Sequence, residues 1–173
     1  MSYTIDELIR AMIVYSDNNA TRLLHDNINP ALLLRVYNDL GVSISDAEST
    51  DDFMTAGQYT YFFRVLYNAT YLNRALSEKA LELLSESDFV QGIEAGVPAT
   101  TIVTHKFGER SIADTHGAIS ARELHDCGVV YYPLHPYLLC VMTRGSDFEK
   151  LAGVIQDISH LVWTDRDHQY RQQ

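Results

Sequence analysis

Residues 101–143 read TIVTHKFGERSIADTHGAISARELHDCGVVYYPLHPYLLCVMT, and this stretch decides the fold. Its β-branched start predicts a strand over Thr101–Lys106. Two further apolar runs, Gly128–Tyr132 and Tyr137–Thr143, flank a Pro-Leu-His-Pro turn at 133–136 and predict a hairpin. The stretch therefore predicts three strands, of which the last two are joined directly.

Helices surround these strands in the sequence. Downstream, apolar residues at helical spacing from Phe148 to Val162 predict one closing helix. Upstream, spacing and capping residues predict helices over about Ile5–Tyr15, around Ala20–Leu24, from Pro30 to a stop at Gly41, from a cap at Thr55 to about Asn68, and from a cap at Ser77 through Leu84. This order indicates an α+β architecture with an antiparallel sheet. We expect a single domain, helical over about residues 1–100, with the strands and the closing helix over about 101–173.

The composition is that of a folded domain with an acidic surface. The 173 residues are 46% hydrophobic and 21% charged, and 23 acidic against 13 basic side chains give a formal charge of −10. Without a basic cluster, that charge argues against a nucleic-acid partner or an anionic membrane surface. Pro133, His135 and Pro136 interrupt the longest uncharged apolar stretch, Cys127–Thr143, so we expect no membrane span. No signal-peptide pattern follows Met1, so any export address would lie outside this sequence.

The two cysteines are expected to be buried free thiols. In a hairpin that turns at 133–136, Cys127 and Cys140 share a face but lie diagonally, farther apart than a relaxed disulfide prefers. Scattered cysteines of this kind are usually core residues. They therefore say little about the redox compartment.

Several metal-ligand residue types occur near the strands, but their spacing matches no compact zinc pattern. These residues are Asp114, His116, His125, Asp126 and Cys127. We interpret them as loop and strand-entry residues and expect no metal site.

Two short segments carry chemical groups in a suggestive order. Ser16-Asp17-Asn18 lies between two predicted helices, and Thr104–Glu109 ends the first predicted strand. Together they resemble the second and third motifs of the penicillin-recognising serine enzymes, specifically the class A β-lactamase-like family. Three longer segments resemble the family around these motifs, namely Tyr3–Leu24, Ile93–Pro98 and Asp126–Pro133. The resemblance covers nearly the whole chain and implies the fold of that family.

The resemblance also implies roles in acyl transfer. The Ser16 hydroxyl would relay a proton, and the Asn18 amide would hydrogen-bond the substrate's amide carbonyl. Lys106 would stabilise the substrate carboxylate, and the backbone N–H of Glu109 would donate to the oxyanion. Gly108 would let the ligand approach the strand closely. Ser16 and Lys106 are thus the candidate catalytic residues, with Asn18, Gly108 and Glu109 as candidate binding residues and no cofactor implied.

The sequence departs from the family at its nucleophile. The family carries a Ser-x-x-Lys motif on a helix that precedes Ser-Asp-Asn. No serine in these 173 residues is followed by lysine at the third position, and Ser77-Glu78-Lys79 has the wrong spacing. We therefore expect a chain that is incomplete at the N-terminus relative to the family and lacks the nucleophile.

Two further positions differ from the family pattern. Phe107 replaces a small hydroxyl residue of the third motif, although Ser111 or Thr115 could substitute for it. The acidic loop 42–53 offers Glu48 as a deacylation base, but without the surrounding residues that the family has. No deacylation base can be assigned.

The leading interpretation is a serine β-lactamase-like hydrolase domain that acts on a β-lactam or a D-Ala-peptide and is inactive as this chain. The alternative is a non-catalytic binding or assembly module on the same scaffold. The implied ligand in both cases is a β-lactam or a peptidoglycan-like peptide. Exposed apolar helices and the free edge of the Tyr137–Thr143 strand predict a dimer or association with an upstream segment. A full-length protein that follows the family would be exported, and would be periplasmic or at the cell surface.

Overall fold

The structure is a computed structural model that describes residues 2–42 and 54–172. The chain forms two compact units, one ending at Asp88 and the other beginning at Phe89. The first unit is helical, and the second combines a three-stranded antiparallel sheet with a long helix. The predicted α+β class is therefore confirmed. In the described ranges no helix is long and apolar enough to cross a membrane.

Five helices form the described part of the first unit. They are α1 (Ile5–Val14), α2 (Asn18–Asn27), α3 (Pro30–Asp39), α4 (Ala56–Tyr67) and α5 (Arg74–Leu84). The predicted capping boxes at Thr4 and Thr55 are both present, and each threonine hydroxyl accepts from the backbone N–H three residues later. Asn29 caps α3, whose first residue is Pro30, as the sequence predicts. The acidic loop that contains Glu48 falls within residues 43–53 and lies outside the described residues.

Two helix starts differ from the prediction. Asn73 caps α5 by accepting from Leu76 N–H at 2.9 Å, so the helix begins before Ser77, which is buried inside it. Asn18 was expected in the linker after α1, but it is the first residue of α2. In α5 the side chain that captures the first free amides therefore lies upstream of the expected cap, and in α2 Asp17 takes this role.

The sheet of the second unit consists of β1 (Val103–Ala113), β2 (Ile119–Val130) and β3 (Tyr137–Gly145), in that spatial order. The expected end of β1 at Gly108 is wrong, because β1 and β2 continue as a hairpin to a turn at 114–118. The carboxylate of Asp114 builds that turn by accepting from the N–H groups of His116 and Ala118. A polar turn of this kind carries no apolar pattern that would extend the strand prediction.

The core of the second unit lies between the sheet and the closing helix α6 (Phe148–Arg171). Its buried residues are Ile93, Val103, Leu124, Val130, Val141, Leu151, Ala152 and Ile155. The sequence predicts this helix only to about Val162, because its last turns are mostly polar. A short 3₁₀ turn, Glu94–Gly96, packs on the same helix.

The prediction of two free thiols is wrong. Cys127 lies directly opposite Cys140 in the β2–β3 register, and the two form a disulfide. Val130 pairs with Tyr137, so the connection spans residues 131–136 instead of 133–136. The longer connection shifts the register by two residues, which turns a diagonal pair into a directly opposed one.

Candidate functional site

Ser16 lies at the junction of α1 and α2. Asp17 holds this junction from both sides, since its N–H donates to Ala11 O at 3.1 Å and its carboxylate accepts from Ala20 N–H at 2.7 Å. Asp17 is thus the N-cap of α2. The half-buried Ser16 and the exposed Asn18 flank it.

The backbone of Ser16 adopts an uncommon conformation. Its φ is +53°, in the left-handed region that a serine enters at a cost of about 1–2 kcal/mol. Backbone outliers of this kind are concentrated at functional sites, where the surrounding structure holds them in place. The junction therefore presents the Ser16 hydroxyl in an orientation that a regular helix end would not give.

Lys106, Gly108 and Glu109 lie along β1 in the second unit. Lys106 is half-buried, whereas Gly108 and Glu109 are exposed. A Cβ atom on Gly108 would meet nothing within 4 Å, so the strand surface is open there. β1 is an outer strand of the described sheet, so alternate backbone N–H groups point away from β2 and can reach a ligand.

The Lys106 ammonium is held by Phe107. Its Nζ donates to Phe107 O at 3.3 Å and lies 4.5 Å from the centroid of the Phe107 ring. That ring is stacked on Phe89, with centroids 4.4 Å apart, and packs against the core cluster. Where the family motif has a small hydroxyl residue, Phe107 thus places an aromatic ring against the Lys106 ammonium.

Two buried ionic groups near Lys106 were not predicted. His105 and Asp126 are fully buried, and His105 Nδ1 lies 2.8 Å from Asp126 Oδ1. Glu123 is buried between two arginines, with Arg110 at 2.6 Å and Arg144 at 3.6 Å. Both groups form across strands, so only the strand register could have revealed them.

The residues considered as metal ligands are separated in the fold. Asp114 and His116 form the β1–β2 turn, whereas His125 Nδ1 accepts from Thr143 N–H. Asp126 is paired with His105, and Cys127 is in the disulfide. In the described part of the chain, no three His, Cys, Asp or Glu side chains are arranged to hold a metal ion.

A sequence profile of the β-lactamase enzyme family matches residues 1–165. No curated protein sequence matches the chain. Among solved structures, PBP-A is similar with a TM-score of 0.76 and 18% identity, and the match covers 96% of this chain and 62% of PBP-A. A PBP-A mutant that matches equally well was solved as an acyl-enzyme complex with penicillin G.

Two β-lactamase structures are similar as well. That from Sphaerobacter thermophilus DSM 20745 has a TM-score of 0.70 and 18% identity, with 92% of this chain and 62% of that one covered. The structure of a halotolerant bacterial β-lactamase has a TM-score of 0.72 and 21% identity, and the match covers 95% of this chain and 66% of the β-lactamase. At these identities the likeness shows the fold, and this chain spans about three-fifths of the length of PBP-A.

Proposed function

The chain belongs to the β-lactamase enzyme family, and from that premise we propose that it is the ligand-recognising part of a serine acyl-transfer domain. The reaction would transfer the acyl group of a β-lactam or a D-Ala-terminated peptide to a serine. The proposal is supported most by Ser16, whose left-handed backbone is fixed by Asp17 between two helices. A hydroxyl residue that its neighbours hold in an uncommon backbone conformation is a candidate for a positioned proton relay.

Each candidate residue has one role in the proposed reaction. Ser16 carries a proton between the attacking hydroxyl and the leaving nitrogen, and the Asn18 amide binds the substrate's amide carbonyl. Lys106 binds the carboxylate, and the open backbone at Gly108 and Glu109 binds the reacting carbonyl. In this proposal Ser16 transfers a proton, the other groups bind or position the substrate, and none of them forms the covalent bond to the acyl group.

We propose that this chain does not itself become acylated. The residues three positions before its lysines are Leu76, Val103 and Asp147, so the 173 residues contain no Ser-x-x-Lys. A serine nucleophile needs a base within hydrogen-bond reach, and that motif supplies both groups in the family.

One observation favours a second candidate, a binding or assembly module without catalysis. Phe107 occupies the hydroxyl position and takes the Lys106 ammonium onto its ring. A ligand carboxylate would then lose one charge-assisted hydrogen bond. Because the lost hydroxyl belongs to the catalytic motif of the family, Phe107 favours a module that binds without catalysis.

Ligand titration tests the proposed site. Penicillin G is titrated into the full chain, into Lys106→Ala, and into Lys150→Ala as a matched control on α6. We expect Lys106→Ala to bind at least about tenfold more weakly, the factor for a lost charge-assisted hydrogen bond, and Lys150→Ala to bind as the parent does. Equal affinity of all three proteins would contradict the proposed site.

Covalent labelling and native mass test the catalytic part. A fluorescent penicillin should leave this polypeptide unlabelled, and labelling at Ser16 would contradict its role as a relay. The intact mass of the protein from its native source separates the two candidates. A mass well above 19.6 kDa with an added Ser-x-x-Lys supports acyl transfer, whereas 19.6 kDa supports the binding module.

A further inference from the structure

A buried histidine immediately precedes Lys106. His105 is fully buried, and its two ring nitrogens face two carboxylates. Nδ1 lies 2.8 Å from Asp126 Oδ1 on β2, and Nε2 lies 3.6 Å from Glu94 Oε2 on the 3₁₀ turn. We assign the hydrogen of the short contact to Nδ1, the tautomer in which the imidazole donates to the Asp126 carboxyl group. The contact to Glu94 is too long for a hydrogen bond.

A continuous series of hydrogen bonds connects this histidine to α6. The Ser159 hydroxyl donates to Ile93 O at 2.8 Å, and Ile93 N–H donates to Asp126 Oδ2 at 2.9 Å. Asp126 in turn accepts from His105. All four residues are fully buried, so each bond is shielded from competing water. The series therefore links the longest helix of the unit to the strand position before Lys106.

Two glycines make room for the His105–Asp126 pair. A Cβ on Gly92 would lie 2.3 Å from Asp126 Oδ2, and a Cβ on Gly128 would lie 2.6 Å from His105 Cβ. Gly128 is also the residue directly opposite His105 in the β1–β2 register. The pair thus occupies a space that only these glycines leave open.

We propose that His105 is a positioning residue for Lys106, acting through the hydrogen bond from Nδ1 to Asp126. β1 is an outer strand of the described sheet, so its ladder bonds hold it from one side only. The side-chain bond of His105 adds a second, buried attachment at the adjacent residue. It fixes the direction in which the backbone presents Lys106, whose ammonium rests on Phe107. The importance of His105 for ligand binding rests on the proposed function, whereas its effect on the position of Lys106 does not.

Two conservative variants of His105 distinguish the contact of Nδ1 with Asp126 from the contact of Nε2 with Glu94. Asn presents an amide N–H near the position of Nδ1, and Gln presents one near the position of Nε2. His105→Asn should therefore keep the bond to Asp126, whereas His105→Gln should lose it and leave a buried carboxylate undercompensated. Both variants keep most of the side-chain volume, so the comparison stands even if His105→Ala fails to fold.

The readout is the rate at which each lysine is reductively methylated, followed by peptide mass spectrometry. The chain has three lysines, so Lys79 and Lys150 are internal references. In His105→Gln we expect Lys106 to react about fivefold faster, the factor equivalent to one net hydrogen bond of about 1 kcal/mol, with the references unchanged. In His105→Asn the parent rate should be retained.

Two results would overturn the positioning role. One is an unchanged Lys106 rate in His105→Gln, and the other is an equal rise for all three lysines, which would indicate general loosening. The same variants are titrated with penicillin G. The Lys106 methylation rate could rise in His105→Gln although neither the parent nor any variant binds penicillin G. That result would support the positioning role of His105 and contradict the proposed function.

Discussion

Phe107 determines what Lys106 can offer a ligand, because its ring holds the ammonium and its side chain has no hydroxyl. We predict that Phe107→Thr binds penicillin G about tenfold more tightly, since a hydroxyl adds a charge-assisted hydrogen bond to the carboxylate. The same variant should lose about 2–4 kcal/mol of stability, because it removes the Phe89 stack and core contacts. Calorimetric titration and thermal unfolding measure the two effects.

Phe89→Leu is the control for Phe107→Thr, because it removes the stack without adding a hydroxyl. It should be destabilised and should gain no affinity. Tighter binding in Phe89→Leu would mean that release of Lys106 from the aromatic pair, and not the hydroxyl, governs the affinity.

Ser16 combines a functional residue type with an unfavourable backbone conformation. Ser16→Gly should raise the free energy of unfolding by about 1 kcal/mol, because glycine adopts a positive φ without the Cβ penalty. Ser16→Ala, which keeps the Cβ, should not. Ala69, with φ of +50°, provides the control Ala69→Gly, for which a similar gain is expected at a position without a proposed role. Denaturant unfolding measures all three. Destabilisation by both Ser16→Gly and Ser16→Ala, while Ala69→Gly is stabilised, would show that the serine hydroxyl is needed to hold the junction.

At the scale of elements, β3 and α6 bury a tyrosine that makes the stability of the unit depend on pH. Burial raises the pKa of Tyr137 from 10.0 to about 12, while the nearby Arg166 lowers it. Between these values the unfolded chain loses the tyrosine proton and the folded chain keeps it, so stability falls as pH rises from 10 towards 12. Below pH 10 both states are neutral and this contribution is constant.

Tyr137→Phe tests this alkaline dependence. In the parent, the Tyr137 Oη is buried without a hydrogen-bond partner. The variant should therefore be as stable as the parent at pH 8, or more stable by about 1 kcal/mol. Its advantage should grow between pH 10 and 12 in urea unfolding. Tyr67→Phe controls for the loss of an exposed hydroxyl. An advantage of Tyr137→Phe that is the same at pH 8 and pH 11 would contradict the assigned cause.

The disulfide between Cys127 on β2 and Cys140 on β3 gives a prediction about thiol reactivity and stability. Iodoacetamide should modify neither Cys127 nor Cys140 in the denatured, unreduced protein, and both after reduction. Reduction should lower the unfolding free energy by about 3 kcal/mol, the amount typical of a disulfide that closes a short loop. Alkylation of both cysteines without reductant would contradict the disulfide.

The elements that sequence predicted well are those that local chemistry determines. The boxes at Thr4 and Thr55 and the cap at Asn29 depend on neighbours within three residues, and each is present. The pairing of Cys127 with Cys140 depends on how many residues the β2–β3 connection takes, which local propensity does not define. Sequence therefore identified most elements and misplaced the contacts between them.

The same distinction applies to the candidate site. Ser16, Asn18 and Lys106 were found because they lie in short contiguous motifs, and the roles given to them remain predictions. The His105–Asp126 pair joins residues 21 positions apart and had no signal of its own. The left-handed φ of Ser16 was equally hidden, because nothing in a Ser-Asp-Asn sequence requires it.

At the scale of the whole molecule, the first unit exposes many of its apolar side chains. No residue of α3 is buried, and its Leu32 and Leu34 are 54% and 48% exposed. Tyr3, Ile5 and Leu23 are exposed as well. We predict that these exposed apolar side chains belong to an interface.

The corresponding prediction concerns oligomeric state. When the 173-residue chain is purified alone, we expect a dimer or larger species in size-exclusion chromatography with light scattering, because like apolar surfaces then cover one another. Leu32→Lys combined with Leu34→Lys should shift the chain towards monomer, whereas Ile119→Lys, an exposed apolar residue of the β1–β2 hairpin, should not. A longer polypeptide that spans the whole PBP-A fold should also give a monomer, because its additional segments would cover the same surface. A stable, monodisperse monomer of the unmodified chain alone would contradict the prediction, since it would show that the exposed leucines need no cover.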